Sequence, residues 1–306
     1  MLTVNQKSMI AALASNEIGE AKRYAIACLE EDNTKKNQQF VEKYINEFGN
    51  NLVHEYGMPS SLLGIASLED CSKADDSRFH QSALEKKIMG VTLSAQKVSE
   101  RMAEMGLKYQ NTLLLYGDSG TGKTFMAHYI AKALGMSCIR VSLARINAQG
   151  SGEAAKAITE LFNFAAYTKN VLLLDEIDCL GARRGNSGND SSSTLTTVTL
   201  MQELDGVPAG TVVIGTTNRI DLVDPALVRR FARKEQLQTF KKEDMVEMIA
   251  EYLSTVDIRL PNAVVKSAPF VGNQAAVIAY LNQEIAKGIE AEFNVSKTVV
   301  SARAKC

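Results

Sequence analysis

The sequence predicts an α/β protein: a parallel sheet covered by helices, preceded by a helical N-terminal region and followed by a small helical lid. Three observations carry this. Short, wholly apolar runs recur between residues 112 and 215, as in strands buried on both faces of a parallel sheet. Segments of helical period separate them, and that alternation places helices on both faces. One strand–helix junction, Gly117-Asp118-Ser119-Gly120-Thr121-Gly122-Lys123-Thr124, fills the pattern G-x-x-x-x-G-K-[ST] without a mismatch.

Taken in order, residues 1–49 read as amphipathic helices. Met9, Ile10 and Leu13 share one face, Tyr24, Ala25 and Cys28 a second. Phe40, Val41, Tyr44, Ile45 and Phe48 form the strongest stripe, with Gly49 as a stop. Residues 50–77 read as a linker, because periodicity fades and Gly57, Pro59 and Gly64 punctuate the chain. The α/β unit spans 78–236. It opens with a helix from His80 to Met105, with an interruption expected near Gly90, and continues into the strand Thr112–Tyr116. After the glycine-rich loop comes the helix Lys123–Leu134, with Gly135 placed to end it. A strand at Cys138–Leu143 and a helix at Glu153–Ala166 follow, then the strand Val171–Leu174, which ends in Asp175-Glu176-Ile177-Asp178. Beyond the polar segment Gly181–Ser193 a helix covers Thr194–Leu204, and the strand Thr211–Gly215 ends at Thr216-Thr217-Asn218. A lid over 237–293 is wholly helical, with Lys241–Ser254 and Asn273–Glu292 its clearest pieces, and the polar tail 294–306 is expected to fray.

Composition sets bounds. A chain of 306 residues holds one large domain with an appendage, or two domains. A formal net charge of -1 gives no support for a generally polyanion-binding surface, so nucleic acid is not indicated, although a local basic patch remains compatible with it. Five scattered cysteines without a C-x-x-C pair argue against a disulfide framework and against a zinc site. No signal-peptide pattern and no apolar stretch long enough for a bilayer are present, which points to a reducing cytoplasm and no membrane partner.

The junction carries the chemistry. Its glycines allow a tight turn and close approach to a polyphosphate, while successive N–H groups and the helix N-terminus face the anion. Lys123 is placed to reach the β- and γ-phosphates and the Thr124 hydroxyl to hold Mg²⁺. The strand before it and the helix after it make it a nucleotide site. Asp175 stands where an apolar strand stops, at the ligand-facing edge of a parallel sheet, and suits the metal shell through water. Strand side chains alternate, so Glu176 points elsewhere and suits orienting and deprotonating a water. Asn218 offers a neutral amide for the water or the γ-phosphate.

These residues, with Leu200-Met201-Gln202-Glu203-Leu204-Asp205-Gly206, Gly215-Thr216-Thr217-Asn218-Arg219 and Asp224-Pro225-Ala226-Leu227, resemble the AAA+ ATPases, and most of all the AAA branch of protein-remodelling motors. The resemblance covers about Leu107 to Phe240 well and the lid loosely; it does not reach residues 1 to 75. It implies a P-loop fold, ATP and Mg²⁺ as ligands, and a homo-oligomeric, hexameric ring acting on a macromolecular partner, most simply a protein. It assigns Gly117 to Thr124, with Phe125 behind them, to the nucleotide, Thr124 and Asp175 to the metal, Glu176 to hydrolysis and Asn218 to sensing the γ-phosphate. Gly272-Asn273-Gln274-Ala275 resembles the start of the lid helix that approaches adenine, which adds Gly272 to the nucleotide set.

Two departures from the family stand out. The arginine-bearing stretch after Asp-Pro-Ala-Leu is shortened to Val228-Arg229-Arg230-Phe231-Ala232-Arg233. Arg230 aligns best with an arginine finger presented to a neighbouring subunit, with Arg229 in reserve. The aromatic–hydrophobic pair of the first pore loop falls on Gly150-Ser151, and Ile146 is the largest side chain just before it. The leading expectation is an ATP-hydrolysing remodelling ATPase. The alternative is an ATP-dependent switch or loader, of the helicase-loader or transposition-regulator type, on a protein–nucleic acid complex.

Overall fold

The computed structural model describes residues 2–14, 18–32, 34–44, 58–73, 80–180, 191–256 and 260–303. Among them, β1 (Ala66–Glu69), β2 (Asn111–Tyr116), β3 (Cys138–Ser142), β4 (Val171–Asp175), β5 (Val212–Thr217) and β6 (Arg233–Gln236) form one sheet. Its order is β1-β3-β4-β5-β2-β6. Every neighbouring pair is parallel except β1 with β3, where Ala66 lies opposite Val141 and Glu69 opposite Cys138.

The central strands β2, β4 and β5 each carry an apolar run because both faces are covered there. Leu113, Leu115, Leu173 and Ile214 pack with Ile88 of α4 (Ala83–Glu104) and with Met126 and Ile130 of α5 (Lys123–Ala133). Their alternates Leu114, Leu172, Leu174 and Val213 join Leu161 and Phe162 of α7 (Ser151–Thr168) and Leu200 and Leu204 of α8 (Ser191–Asp205) on the other face. Each such leucine, fully buried, contributes roughly 1.5–3 kcal/mol relative to exposure. The effect of this core on function is positional: parallel strands end together, so the ends of β2, β4 and β5 sit side by side.

Both edges of the sheet differ from the sequence reading. Within the expected linker, residues 66–69 are β1, paired along their length with β3. Beyond the apolar strands, Arg233-Lys234-Glu235-Gln236 is β6, parallel to β2. An edge strand has one free side and can carry charge, so neither shows the apolar run that marks a central strand.

Helix α4 runs unbroken through Gly90, contrary to expectation. Ser82 and Glu85 form a reciprocal capping box at its start, the Glu85 N–H donating to Ser82 Oγ at 3.3 Å and the Ser82 N–H to Glu85 Oε2 at 2.9 Å. One interior glycine costs only about 1 kcal/mol, which the capped and packed helix absorbs.

At the N-terminus, α1 (Val4–Ala14) and α2 (Ile18–Glu30) pack on each other, and residues 38–44 form α3. Among the described residues there, the buried side chains are Ala12, Ala21 and Ile26, whereas Ile10 and Leu13 are about half exposed, so the expected face of the first helix is not the packed one. Small side chains let the two helices approach closely, which a period count of large residues does not register. Phe40 is 58% exposed, its ring 4.5 Å from that of Tyr44. Ile45, Phe48 and Gly49 lie outside the described residues, as does most of Gly181–Ser193.

The lid has its own core, with Met245, Met248 and Ile249 of α10 (Lys242–Val256) against Val277 and Leu281 of α12 (Gln274–Arg303). Between them lies the short α11 (Asn262–Ser267). Helix α12 continues past Asn294 to Arg303, so the expected polar tail is helical over most of its length. No helix among the described residues is long and apolar enough to cross a membrane.

Candidate nucleotide site

The glycine-rich loop leaves β2 at Gly117 and enters α5 at Lys123. Gly117 has φ 140° and Gly120 φ 78°, and each is closely approached. A Cβ on Gly117 would stand 2.0 Å from the Leu237 carbonyl oxygen, and one on Gly120 would stand 2.7 Å from the Asn273 amide. Lys123 is 7% exposed and donates to the carbonyls of Gly117 at 2.8 Å and Asp118 at 2.7 Å, so its ammonium is held over the loop. Burial pushes the ammonium below its usual pKa, opposed by the charges of Asp118, Asp175 and Asp178. The Thr121 hydroxyl ties the turn by donating to the Asp118 carbonyl at 2.8 Å.

A first prediction arises here. Gly117→Ala combines a left-handed backbone with a backbone clash, and such strain costs about 2 kcal/mol or more. The expected result is a thermal midpoint lowered by roughly 5 °C and loss of nucleotide binding. An unchanged melting curve by circular dichroism would refute the close approach to Leu237.

The acidic side is built by the ends of β4 and β5. Asp175 Oδ1 lies 3.4 Å from the Thr124 hydroxyl and also accepts a short hydrogen bond from Thr216 Oγ1. Asp175 Oδ2 accepts from Arg140 of β3, through Nε at 3.0 Å and Nη2 at 2.7 Å. Glu176 has φ 56°, a left-handed conformation that costs a non-glycine residue roughly 1–3 kcal/mol, and its N–H donates to Thr216 Oγ1 at 3.2 Å. That turn directs Glu176 differently from Asp175. The Thr217 hydroxyl donates to Asp178 at 2.6 Å and steadies the strand end before Asn218. Lys123, Thr124, Asp175, Glu176 and Asn218 line one cavity of about 360 Å³.

A larger cavity, of about 540 Å³, opens between the sheet domain and the lid. Phe125, Phe240, Met248 and Ile278 give it apolar walls, and Gln274, Ala275 and Asn282 line it from α12. It shares Gly120, Gly122 and Phe125 with the smaller cavity, so the two are contiguous around the loop. The start of α12 is fastened to that loop. Asn273 Nδ2 donates to the Ser119 carbonyl at 2.8 Å, its Oδ1 caps the helix at Ala276 N, and Ala275 N donates to the Gly120 carbonyl at 3.2 Å. Within the expected Gly272–Ala275 stretch, contact with the cavity therefore comes from Gln274 and Ala275, with Gly272 (φ 155°) turning the chain into them.

Several lining residues escaped the sequence reading. His80, at 6% exposed, places Nδ1 3.1 Å from Glu251 of α10, and Glu85 is buried, which raises its carboxyl above the usual range. His80 precedes α4 with no motif to mark it, and Glu85 sits in the first turn of α4, where its capping-box spacing from Ser82 marks a helix start and not a cavity. Arg140 carried a visible signal: a lone charge inside the otherwise uncharged strand Cys-Ile-Arg-Val-Ser.

The three arginines in the last turn of α9 (Pro225–Arg230) and just beyond it have separate environments. Arg233 donates to Thr92 Oγ1 at 2.7 Å and Asn111 Oδ1 at 2.5 Å in a part-buried network, a structural role that joins β6 to β2 and α4. Arg230 makes a partly exposed pair with Asp205, Nε to Oδ2 3.2 Å, and Arg229 is exposed. Neither Arg229 nor Arg230 lines the two cavities just described. At the expected pore loop, Ala148, Gln149 and Gly150 are exposed ahead of α7, while Ile146 is fully buried in the core.

The family model for the ATPase family associated with various cellular activities (AAA) matches residues 113–239. The 26S proteasome regulatory subunit 8 of Caenorhabditis elegans is 34% identical over 181 residues, 56% of this chain and 44% of that protein. The proteasome-activating nucleotidase of Archaeoglobus fulgidus is 40% identical over 141 residues, 44% of this chain and 35% of that protein. The chain thus spans less than half the length of these relatives. In fold it is similar to the FIGL-1 AAA domain in complex with ADP (TM-score 0.52, 22% identity, 68% of this chain and 70% of that one). It is also similar to a chain of the Escherichia coli MS115-1 HORMA:CdnC:Trip13 complex (TM-score 0.55, 19% identity, 70% of this chain and 82% of that one).

Proposed function

Because this chain belongs, through residues 113–239, to the AAA ATPase family, we infer that it binds Mg–ATP beneath its lid, hydrolyses it, and couples turnover to remodelling a protein partner. The observation that carries the inference is the convergence of Lys123, Thr124, Asp175, Glu176 and Asn218 on one cavity contiguous with an apolar slot. An anionic triphosphate suits the first cavity and a planar base suits the second.

The donor set fits Mg²⁺. Thr124 and Asp175 bring hard oxygen atoms to one point, and this ion takes one or two protein oxygens with phosphate and water completing its shell. When bound, the metal neutralises charge on the β- and γ-phosphates. The chain's own groups do the rest. Loop N–H groups and Lys123 hold the phosphates, Glu176 orients a water and accepts its proton, and Asn218 fixes the water or the γ-phosphate without adding charge. The lid, tied to the loop through Asn273 and Ala275, is placed to feel whether the phosphate site is filled.

Subunits are taken to assemble as a ring of like copies, six by family resemblance, in the cytoplasm, with Arg230 offered to the neighbour's nucleotide. A protein partner is favoured by the proteasomal relatives. The switch or loader reading is favoured by one observation: the exposed segment Ala148-Gln149-Gly150 carries no aromatic side chain for gripping an extended chain. Turnover measured alone, with an unfolded protein, and with single-stranded and duplex DNA separates the two. Mg²⁺-dependent turnover stimulated by protein is expected; stimulation by DNA alone would overturn protein remodelling in favour of the loader, and absence of any ATP binding would overturn both.

A further inference from the structure

We propose that Arg140 is an internal counter-ion that holds Asp175 in the metal-free site and yields it when Mg²⁺ arrives with nucleotide, so that this arginine sets how strongly nucleotide binding depends on the metal. The proposal rests on the ATP-site reading above and concerns a residue outside the phosphate loop and the acidic pair.

The geometry accounts for every acceptor position of Asp175. Oδ1 takes the Thr216 hydroxyl and stands 3.4 Å from Thr124 Oγ1. Oδ2 takes two N–H groups from the Arg140 guanidinium, at 3.0 and 2.7 Å. Asp175 is mostly enclosed, its side chain 14% exposed, so an unpaired charge there would be costly. Lys123 acts on Asp175 through its charge, while the hydrogen bonds of its ammonium go to the loop carbonyls of Gly117 and Asp118. Arg140 therefore supplies the cation where the metal is expected.

The arginine also has room to leave. Its side chain is 46% exposed and lines two cavities, the phosphate cavity and an adjoining one of about 300 Å³. Its backbone is fixed in β3, two residues before Ser142, which pairs with Asp175. The side chain can therefore swing while the strand stays put. Asp175 is one short strand step away, and the guanidinium remains charged in either position.

Two consequences follow with opposite signs. Without metal, Arg140 shields an incoming triphosphate from the Asp175 carboxylate, so removing it should weaken binding of metal-free ATP. With metal, Arg140 competes for the same carboxylate, so removing it should let Mg²⁺ act at lower concentration. An arginine that merely props up the strand moves both in the same direction.

The test uses the full chain and a fluorescent ATP analogue, titrated in EDTA and then across Mg²⁺ concentrations, with Arg140→Gln and Arg140→Lys beside the parent. Arg140→Gln is expected to weaken metal-free binding about tenfold, the effect of a shift near 1.4 kcal/mol, while lowering the Mg²⁺ concentration for half-maximal effect. Arg140→Lys keeps the charge but loses the planar fork and should fall between. The Mg²⁺ midpoint is read within each sample, so partial unfolding of a variant does not shift it. Equal changes with and without metal, or an unchanged midpoint in Arg140→Gln, would overturn the proposal while leaving the ATP site intact. If the parent chain binds no analogue in either condition, the ATP-site reading itself fails, and this inference with it.

Discussion

Glu176→Gln is expected to bind ATP within a few-fold of the parent chain and to turn it over ~10²-fold more slowly or worse, the usual scale for loss of a general base. The substitution keeps the shape of the side chain and removes its ability to accept a proton. It also keeps the backbone contact to Thr216, since that bond is made by the residue 176 N–H. The left-handed turn at φ 56° is strained for either residue, so stability should hardly change. Lys123→Ala gives the contrasting result. It deletes the ammonium held over the loop, and binding itself should fall, because the phosphates lose a charge held in place by two loop carbonyls. Equilibrium binding of a labelled nucleotide beside phosphate release separates the two cases. Near-normal phosphate release by Glu176→Gln would remove Glu176 from the role of base.

The half of the candidate site proposed to hold phosphate was legible because its chemistry is local. Glycines at 117, 120 and 122, a lysine and a threonine act within one turn of chain, and the acidic pair announces itself at the end of an apolar strand. What the chain alone did not show depends on distant segments meeting. The cavity under the lid takes His80 and Glu85 from around the start of α4 and Gln274 and Asn282 from α12, and no spacing relates the two pairs. Arg140 was visible as an odd charge in an apolar strand, but its partner is fixed only by the parallel register that sets Ser142 beside Asp175.

The fold shows the same division. Leu113 to Leu115, Val171 to Leu174 and Val212 to Ile214 are apolar on both faces and could be read as buried strands without further help. The edges could not. β1 lies in a stretch whose glycine and proline suggest a linker, and β6 is wholly polar, so each is a strand only because a neighbour offers its free hydrogen-bonding side. Three arginines in six residues also look alike in sequence. Burial separates them, since Arg233 is bound into Thr92 and Asn111 while Arg229 is exposed and Arg230 makes a partly exposed pair with Asp205.

Mixing Arg230→Ala subunits with Lys123→Ala subunits should restore turnover that neither variant shows alone. An arginine finger contributes on the order of 10³–10⁵ in rate by stabilising charge on the transferring phosphoryl group, so Arg230→Ala alone should be close to inactive. Its structural cost should be small. The pair with Asp205 is partly exposed, and such pairs contribute about 0–1 kcal/mol. A thermal midpoint within a few degrees of the parent is therefore expected beside the large loss of rate, and that contrast sets a catalytic contribution apart from a folding defect. Arg230 lines neither cavity of its own chain, which is why the deficit should be repairable from outside. In a mixed ring some interfaces join an intact Lys123 loop on one subunit to an intact Arg230 on the next, and only a shared site can exploit that pairing. Arg229→Ala, in the same mixing series, should lose far less. If every mixing ratio gives no more phosphate release than the better variant alone, while both variants still assemble, Arg230 does not act across an interface. A full loss in Arg229→Ala with normal turnover in Arg230→Ala would transfer the role to its neighbour.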